Sequence, residues 1–383
     1  MSAQFSDWQA YLVQTTTGSV GPAITIKEGA KYSIPLSDGS SGSFALDKSA
    51  LPEGLPLERW LDAWWSTVLF TYKGKAIYAG PILSNPKEYM SEIQAETGDI
   101  RNILARRYII EERDLDTTGS IAKGVASFKG LSLGTIAQEV VKVALAKPGG
   151  NLPIRYVSPR ESATDDADHQ RTYKAYNVSN LSCDEVLKKL SGVGNGPDIT
   201  FRPHLISANQ MVWDMHHGTE NDTRIKQTVF PEWDLTAVKS QAASLEVTKT
   251  GTYITDRVIG VGNGTNEAAV MTVSENFSRL DQGYPLLESV LLDSDTKTKS
   301  LLNKQSQENL NQNRKPLREF TLYVDANGRY PLGSYWPGDL IVIHTKGFAD
   351  FTNGPQKMRL LNVSGGFGST KIRLALQLDS QWK

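Results

Sequence analysis

Cysteine is almost missing from this sequence: 383 residues carry one, Cys183. A single thiol excludes an intramolecular disulfide and any zinc site built on several cysteines. Histidine is scarce, at five residues. Neither a His-Glu-x-x-His pair nor a Gly-x-Ser-x-Gly elbow is present, so metalloprotease and α/β-hydrolase chemistry leave no signature. Charge of one sign is not in excess: 41 Lys and Arg stand against 42 Asp and Glu, a net charge of −1. That balance speaks against a nucleic-acid binder, which needs a basic stripe to displace counterions from phosphates. Long apolar runs are absent, and nothing approaches the roughly 20 residues of a membrane-spanning helix. The opening Met1-Ser-Ala-Gln-Phe-Ser-Asp-Trp8 has no basic region followed by an apolar stretch. No signal peptide is therefore expected, and synthesis in a cytosol is.

What the sequence does have is turns. Its 32 glycines and 17 prolines favour a β-rich chain, and its length suggests about two to four domains of roughly 100–200 residues. The clearest feature is a hairpin, Val68 to Tyr72 and Ala76 to Ala79, turning at Lys73-Gly-Lys75 and followed by a strand through Ile93. A looser copy stands near the C-terminus: Gly338 to His344, Met358 to Val363 and Lys371 to Leu378. Two such units suggest a duplicated, barrel-like β-domain rather than one catalytic core. Chance similarity between two ordinary hairpins is the competing reading.

Helical patterns lie between the copies. Ser132 to Ala146 places Leu133, Ile136, Ala137, Val140, Val141 and Ala144 on one face, with Ser132 as cap and Pro148-Gly-Gly150 as stop. Ser182 to Ser191 opens with Ser182-Cys-Asp-Glu185, the pattern of a capping box, and buries Val186, Leu187 and Leu190. Asp99 to Arg107 reads as a short amphipathic helix, and Asp295 to Arg314 as a polar one with Leu301, Leu302 and Leu310 apolar. Strands are expected at 199–201, 205–206 and 210–215, at 107–113, and at 244–248 and 253–261. Residues 119–130 read as a loop.

Few residues are candidates for chemistry. Cys183 sits at a helix start, which can lower a thiol pKa, but no histidine lies near it in sequence. In Asp214-Met-His-His217, Asp214 and His216 share a strand face while His217 points away, so three ligands do not converge. An exposed strand end is the expectation there. Asp165-Asp-Ala-Asp168-His169 lacks the Gly and final Glu of a calcium loop and reads as a solvated acidic segment. Gly260-Val-Gly-Asn-Gly264 has no following Lys-Ser/Thr and reads as a turn rather than a phosphate loop. Arg101, Arg106, Arg107 and Arg113, interleaved with Glu111, Glu112 and Asp114, suggest a mixed surface. The run Trp60, Trp64, Trp65 is expected to close a core. Together with Trp233 and Trp336 it also raises a second reading, a carbohydrate- or receptor-binding module. A third, a cell-wall hydrolase, would need a carboxylate pair that nothing singles out.

The order of segments carries a resemblance. Tyr72-Lys-Gly-Lys-Ala-Ile-Tyr-Ala-Gly-Pro81 is followed by Ile103-Leu-Ala-Arg-Arg107, then Ser132-Leu-Gly-Thr-Ile-Ala137. A polar helix and Tyr335-Trp-Pro-Gly-Asp339 then precede three strands. This order resembles the minor tail proteins of siphophages that infect actinobacteria, which are similar to the baseplate hub proteins of contractile tails. The resemblance implies an α+β, β-rich fold with two hub-type β-barrel domains and two interposed smaller α/β domains. The corresponding borders are 1–115, first barrel; 116–220, α/β; 221–285 with 335–383, second barrel; and 286–334, a helix-containing insertion. It implies a homotrimeric ring at the virion tail tip that presents six similar barrels to a six-fold tube and forms part of the DNA exit channel. The implied partners are a distal tail protein, the tape-measure protein and tail fibre or receptor-binding proteins. It implies no sequence-specific nucleic-acid binding, no stable membrane insertion, no catalysis, no cofactor and no metal.

Overall fold

The computed structural model describes residues 7–51, 54, 56–84, 86–110, 124–294, 296–349 and 352–379. The Glu111, Glu112, Arg113 and Asp114 part of the mixed-charge segment lies outside them, as do 111–113 of the expected 107–113 strand and 119–123 of the expected 119–130 loop. Residues 107–110 form only a bridge of Tyr108 to Ser182, and Val125–Lys129 is a strand, not a loop. Strands take 41% of the chain and helices 18%, as an α+β, β-rich reading requires. The chain forms two compact units, residues 1–245 with 321–383, and residues 246–320.

The first unit opens with β1 (Trp8–Gln14), β2 (Val20–Ile24), β3 (Lys31–Pro35), β4 (Ser41–Asp47) and the short α1 (Leu57–Trp60). Next come the hairpin β5 (Ser66–Tyr72) and β6 (Lys75–Pro81), then β7 (Lys87–Glu88), β8 (Glu92–Thr97) and α2 (Ile100–Leu104). The middle of the chain supplies β9 (Val125–Lys129), α3 (Leu133–Leu145), β10 (Ile154–Tyr156), β11 (Gln170–Lys174) and α4 (Cys183–Ser191). The hairpin β12 (Ile199–Ser207) and β13 (Gln210–His217) follows, then β14 (Glu232–Asp234) and β15 (Ala242–Thr250). The second unit holds β16 (Arg257–Val261), β17 (Met271–Glu275), β18 (Glu288–Leu292) and α5 (Lys299–Gln312). The chain returns through β19 (Leu317–Asp325) and ends with β20 (Leu340–Thr345), β21 (Gly354–Gly366) and β22 (Lys371–Leu378).

Local chemistry accounts for the clearest elements. Lys73 (φ 48°) and Gly74 (φ 76°) both take left-handed conformations between β5 and β6. That two-residue geometry follows the right-handed twist of the strands it joins. In α3 the amide of Thr135 donates to Ser132 Oγ at 3.3 Å. Leu133, Ile136, Ala137, Val140, Val141 and Ala144 are all buried along one stripe. Asp99 and Asn102 form a reciprocal capping box on α2, whereas on α4 Ser182 caps the Glu185 amide. The stripe of α3 meets Val186, Leu187 and Leu190 of α4, Phe201, Met211, Trp213 and Met215 of the β12–β13 hairpin, and Leu69 of β5 in one core.

The expectation of two separate barrels meets a different arrangement. The N-terminal strands β3, β4, β8 and β7 and the C-terminal β19, β22 and β21 lie in one sheet, joined where Ser33 pairs with Ser364 and Tyr32 with Gly365. Among the described residues no strand pairing closes this sheet, or the four-stranded order β2-β1-β5-β6, on itself. The two copies of the hairpin pattern also diverge. β20, β21 and β22 pair in succession, but β8 leaves the β5–β6 hairpin to pair with β4. Hairpins are set by local turns; the neighbour a strand takes on its other edge is not.

In the second unit β16 lies between β17, antiparallel to it, and β18, parallel to it. The polar helix α5 covers one face of this sheet through Leu302, Ser306 and Leu310, all buried. Gly260 is required there: a Cβ would stand 2.3 Å from Ser306 Oγ and 2.5 Å from Thr272 Oγ1.

Ile136 is fully buried in the first unit's core, so Ile136→Ala is expected to cost about 2–5 kcal/mol. Ser132→Ala is expected to cost about 1 kcal/mol. Urea unfolding midpoints at unchanged slope check both.

Candidate functional site

A large concavity of the first unit is an open trough of about 1200 Å³ along β3, β4, β8, β21 and β22, with α2 and α4 at its side. Small residues keep it open. A side chain at Gly365 would stand 2.9 Å from Tyr32 Oη, and one at Gly42 2.8 Å from the Tyr78 ring. Four of its charged groups pair with one another, and Lys31, Glu96, Lys371 and Arg373 also line it. Arg101 Nε donates to Asp184 Oδ1 at 2.5 Å, and Lys188 Nζ lies 3.3 Å from both Asp184 and Asp38. Asp99, buried behind the lining residues Ser40 and Arg101, accepts from the amides of both at 2.9 Å each; burial holds its pKa above the usual carboxylate range. Arg101 is 3% exposed, so the mixed solvated surface expected around it is not what forms. It anchors α2 to α4.

A second polar assembly is a seam on the face of β12–β13 turned away from the core. Arg155 grips Asp214 with two hydrogen bonds, Nε at 2.7 Å and Nη2 at 2.6 Å. Arg202, opposite Asp214 in the ladder, lies over the Trp336 ring at 5.4 Å. Arg359 of β21 is ion-paired with Asp198, and Asp339 accepts from the Trp336 amide at 2.8 Å. Burial dominates the electrostatics here. It raises Asp198, pushes Asp339 up to about 6, and lowers Arg202 and Arg359. His216, on the same face, is pushed down to about 3 by burial and by Arg202.

Neither place pairs a nucleophile with a base. Among the described residues no three His, Cys, Asp or Glu side chains are grouped to share a metal ion. Both hold ion pairs that cross between elements, Arg101–Asp184 in the trough and Arg359–Asp198 in the seam.

No protein-family model matches the sequence, and no curated protein matches it. Solved structures do. The 43 kDa tail protein of prophage MuSo2 from Shewanella oneidensis superposes with a TM-score of 0.55 at 8% identity, over 98% of this chain and 100% of that one. The tail protein from Neisseria meningitidis MC58 gives 0.52 at 12% identity over 98% of each chain. This chain has the phage tail-protein fold. A chain of the Francisella PdpA–VgrG complex in its lidded form gives 0.54 at 8% identity, over 98% of this chain and 53% of that one. Identities this low establish a common fold.

Within the tail-protein fold the residues singled out from sequence take structural places. Cys183 is wholly buried at the start of α4, and burial pushes its thiol pKa up, the opposite of activation. The Asp214–His217 segment is not an exposed strand end: Asp214 and His217 are buried, and Asp214 is held by Arg155. His169 bridges Asp166 and Glu220 at 2.7 Å each. Asp166 also caps a short turn through the Asp168 and His169 amides. Trp233 is 2% exposed. Trp60 stacks edge-on with Trp65 at 4.9 Å and lies where a side chain at Gly21 would be. Trp64, at φ 68°, lies under the Arg106 guanidinium at 4.6 Å. Trp60, Trp64, Trp65 and Trp336 are half-buried rather than core residues, and each packs against another ring or an arginine. Sequence reading missed Asp198, Arg202, Asp339 and Arg359. The polar alternation Thr200, Arg202, His204 was the available signal. It was masked by Pro203, which splits the apparent strand but is tolerated because β12 is an edge.

Removing one partner of the buried pair, Asp198→Ala, is expected to cost about 3–5 kcal/mol, read by chemical denaturation. His216 has a folded pKa below its unfolded value. Its contribution is therefore fully present above about pH 6.5 and is lost as the pH falls towards 3. Asp339 has the opposite sign: its folded pKa is raised, so its contribution is full below about 3.8 and lost as the pH rises through about 6. His216→Gln is expected to flatten the fall in stability between pH 6.5 and 4. Asp339→Asn is expected to steepen it. Urea midpoints across that range check both.

Proposed function

We propose that this protein is a structural component of a phage tail tip, a hub ring that joins the tail tube to the distal tip. The observation that carries this is the match of the whole chain, end to end, to whole tail proteins of the same size. In this reading three copies form the ring and each contributes two barrel-like β-walls, so that six similar walls face a six-fold tube. The working division is 1–115, 116–220, 221–285 with 335–383, and 286–334. The distal tail protein binds on one side and fibre or receptor-binding proteins on the other. The tape-measure protein ends in the lumen, which forms part of the DNA exit channel. The ring uses no cofactor and no metal, catalyses nothing, reads no nucleic-acid sequence and inserts stably in no membrane. Paired charges and packed tryptophans support a role carried by interfaces.

Light scattering of the purified chain is expected to give three times its 42.2 kDa mass, and electron microscopy of that peak a ring with a central hole. Antibody to the chain is expected to label one end of the tail in virions. Label along the whole tail, or none on particles, would overturn the tip assignment.

A further inference from the structure

The sheet of the second unit is built inside out. Cross-strand rows can be read directly from the register of β17, β16 and β18. On the face turned to α5 the rows are Ser274–Val258–Ser289 and Thr272–Gly260–Leu291, mostly small or polar. The Thr272 and Ser306 hydroxyls even bond to each other beneath the helix, at 3.1 Å. On the opposite face the rows are Val273–Ile259–Val290 and Met271–Val261–Leu292, wholly apolar. That aliphatic face is the one in water: Val273 is 49% exposed, Met271 51%, Val290 59% and Leu292 75%. A half-buried sheet ordinarily turns its apolar face to its own core and its polar face to solvent. The reversal costs hydrophobic free energy in the isolated chain and is recovered when something covers the face.

We infer that this face is an interface between copies of this chain. The six apolar side chains present on the order of 400 Å² of apolar surface, the size of the largest patch on a typical monomer, which is often a functional one. That is about half of what one partner buries in a stable interface, so the surface around the rows has to contribute the rest. Composition points to a permanent partner of the same kind. The charged row, Glu275–Arg257–Glu288, engages its one cation fully, with Arg257 3.4 Å from each carboxylate, and carries a net charge of −1. The face therefore offers no free cation to a phosphate, an anionic lipid surface or an acidic peptide. A dry aliphatic centre of this kind is characteristic of obligate homomeric contacts, which resemble a domain core cut in two. The inference rests on the ring proposed above and names the surface by which its copies hold together.

The test compares the native mass of the wild-type chain with that of Val290→Lys/Leu292→Lys, at equal micromolar concentrations. Both positions are exposed on an edge strand, so the variant is expected to keep the wild-type circular dichroism spectrum and melting behaviour as a monomer. The milder Leu292→Thr, which suits a strand, is a second variant expected to weaken association by about tenfold. A wild-type oligomer that the variants break into folded monomers supports the inference. A wild-type trimer that both variants leave intact overturns the inference and leaves the hub reading standing. A wild-type chain that stays monomeric overturns both, since copies then do not associate through this face or any other.

Discussion

The first unit depends on one ladder, β3 against β21. It joins strands from opposite ends of the chain; Ser33 and Asn362, hydrogen-bonded across it, are 329 residues apart. Everything between them, including the α3–α4 layer and the whole second unit, is a loop closed by that ladder. Closure entropy grows only slowly with loop length, so the contact is tolerable once made. It nevertheless has to wait for the last strands of the chain, and non-local pairing of this kind makes folding slow. The sequence around the ladder suits close approach. Gly365 leaves room for the Tyr32 hydroxyl, and the Tyr32 ring in turn lies 5.9 Å from Trp8 and 6.2 Å from Tyr78. One strand pair therefore fixes both the sheet and the aromatic core behind it.

The buried charges reinforce the same junction. Arg359 sits on β21 and Asp198 just before β12, so their ion pair ties the C-terminal strands to the α/β layer. Trp336 and Arg202 make a second tie by stacking. Apolar side chains of similar volume would give comparable stability or more, because desolvating two charges offsets much of their attraction. What ionic groups add is discrimination. A slipped register of β21 leaves Arg359 buried without Asp198, a penalty that no misplaced leucine would incur. In a sheet where many strands have similar alternating patterns, such penalties select one register among several.

How much of this was legible in the sequence follows from the range of each interaction. The helices α3 and α4 could be read almost to the residue, because a serine cap, a 3.6-residue apolar period and a glycine stop all lie within the segment. The β5–β6 hairpin could be read for the same reason. The joining of β3 to β21 could not, since nothing in either strand names its distant neighbour. Arg101 shows the limit most clearly. Among Arg106 and Arg107 it looks like one more surface cation, yet α2 turns it inward onto Asp184, a residue in the first turn of another helix. The second unit's inverted sheet was in principle visible as the alternation Met271-Thr-Val-Ser-Glu275. Alternation gives the two faces of a strand but not which of them is covered.

These features share one physical consequence. Net charge is near zero, Arg101, Asp184, Lys188 and Asp38 of the trough pair with one another, and the charged row of the second unit carries a net charge of only −1. Long-range electrostatic steering, which raises association rates for strongly charged partners, has little to act on. Association of such a chain is driven by apolar burial and shape, and slows little as salt is added, because screening acts on fields between unpaired charges. In the interface inferred above, the apolar rows of the second unit supply that kind of driving force, and salts excluded from protein surfaces strengthen it.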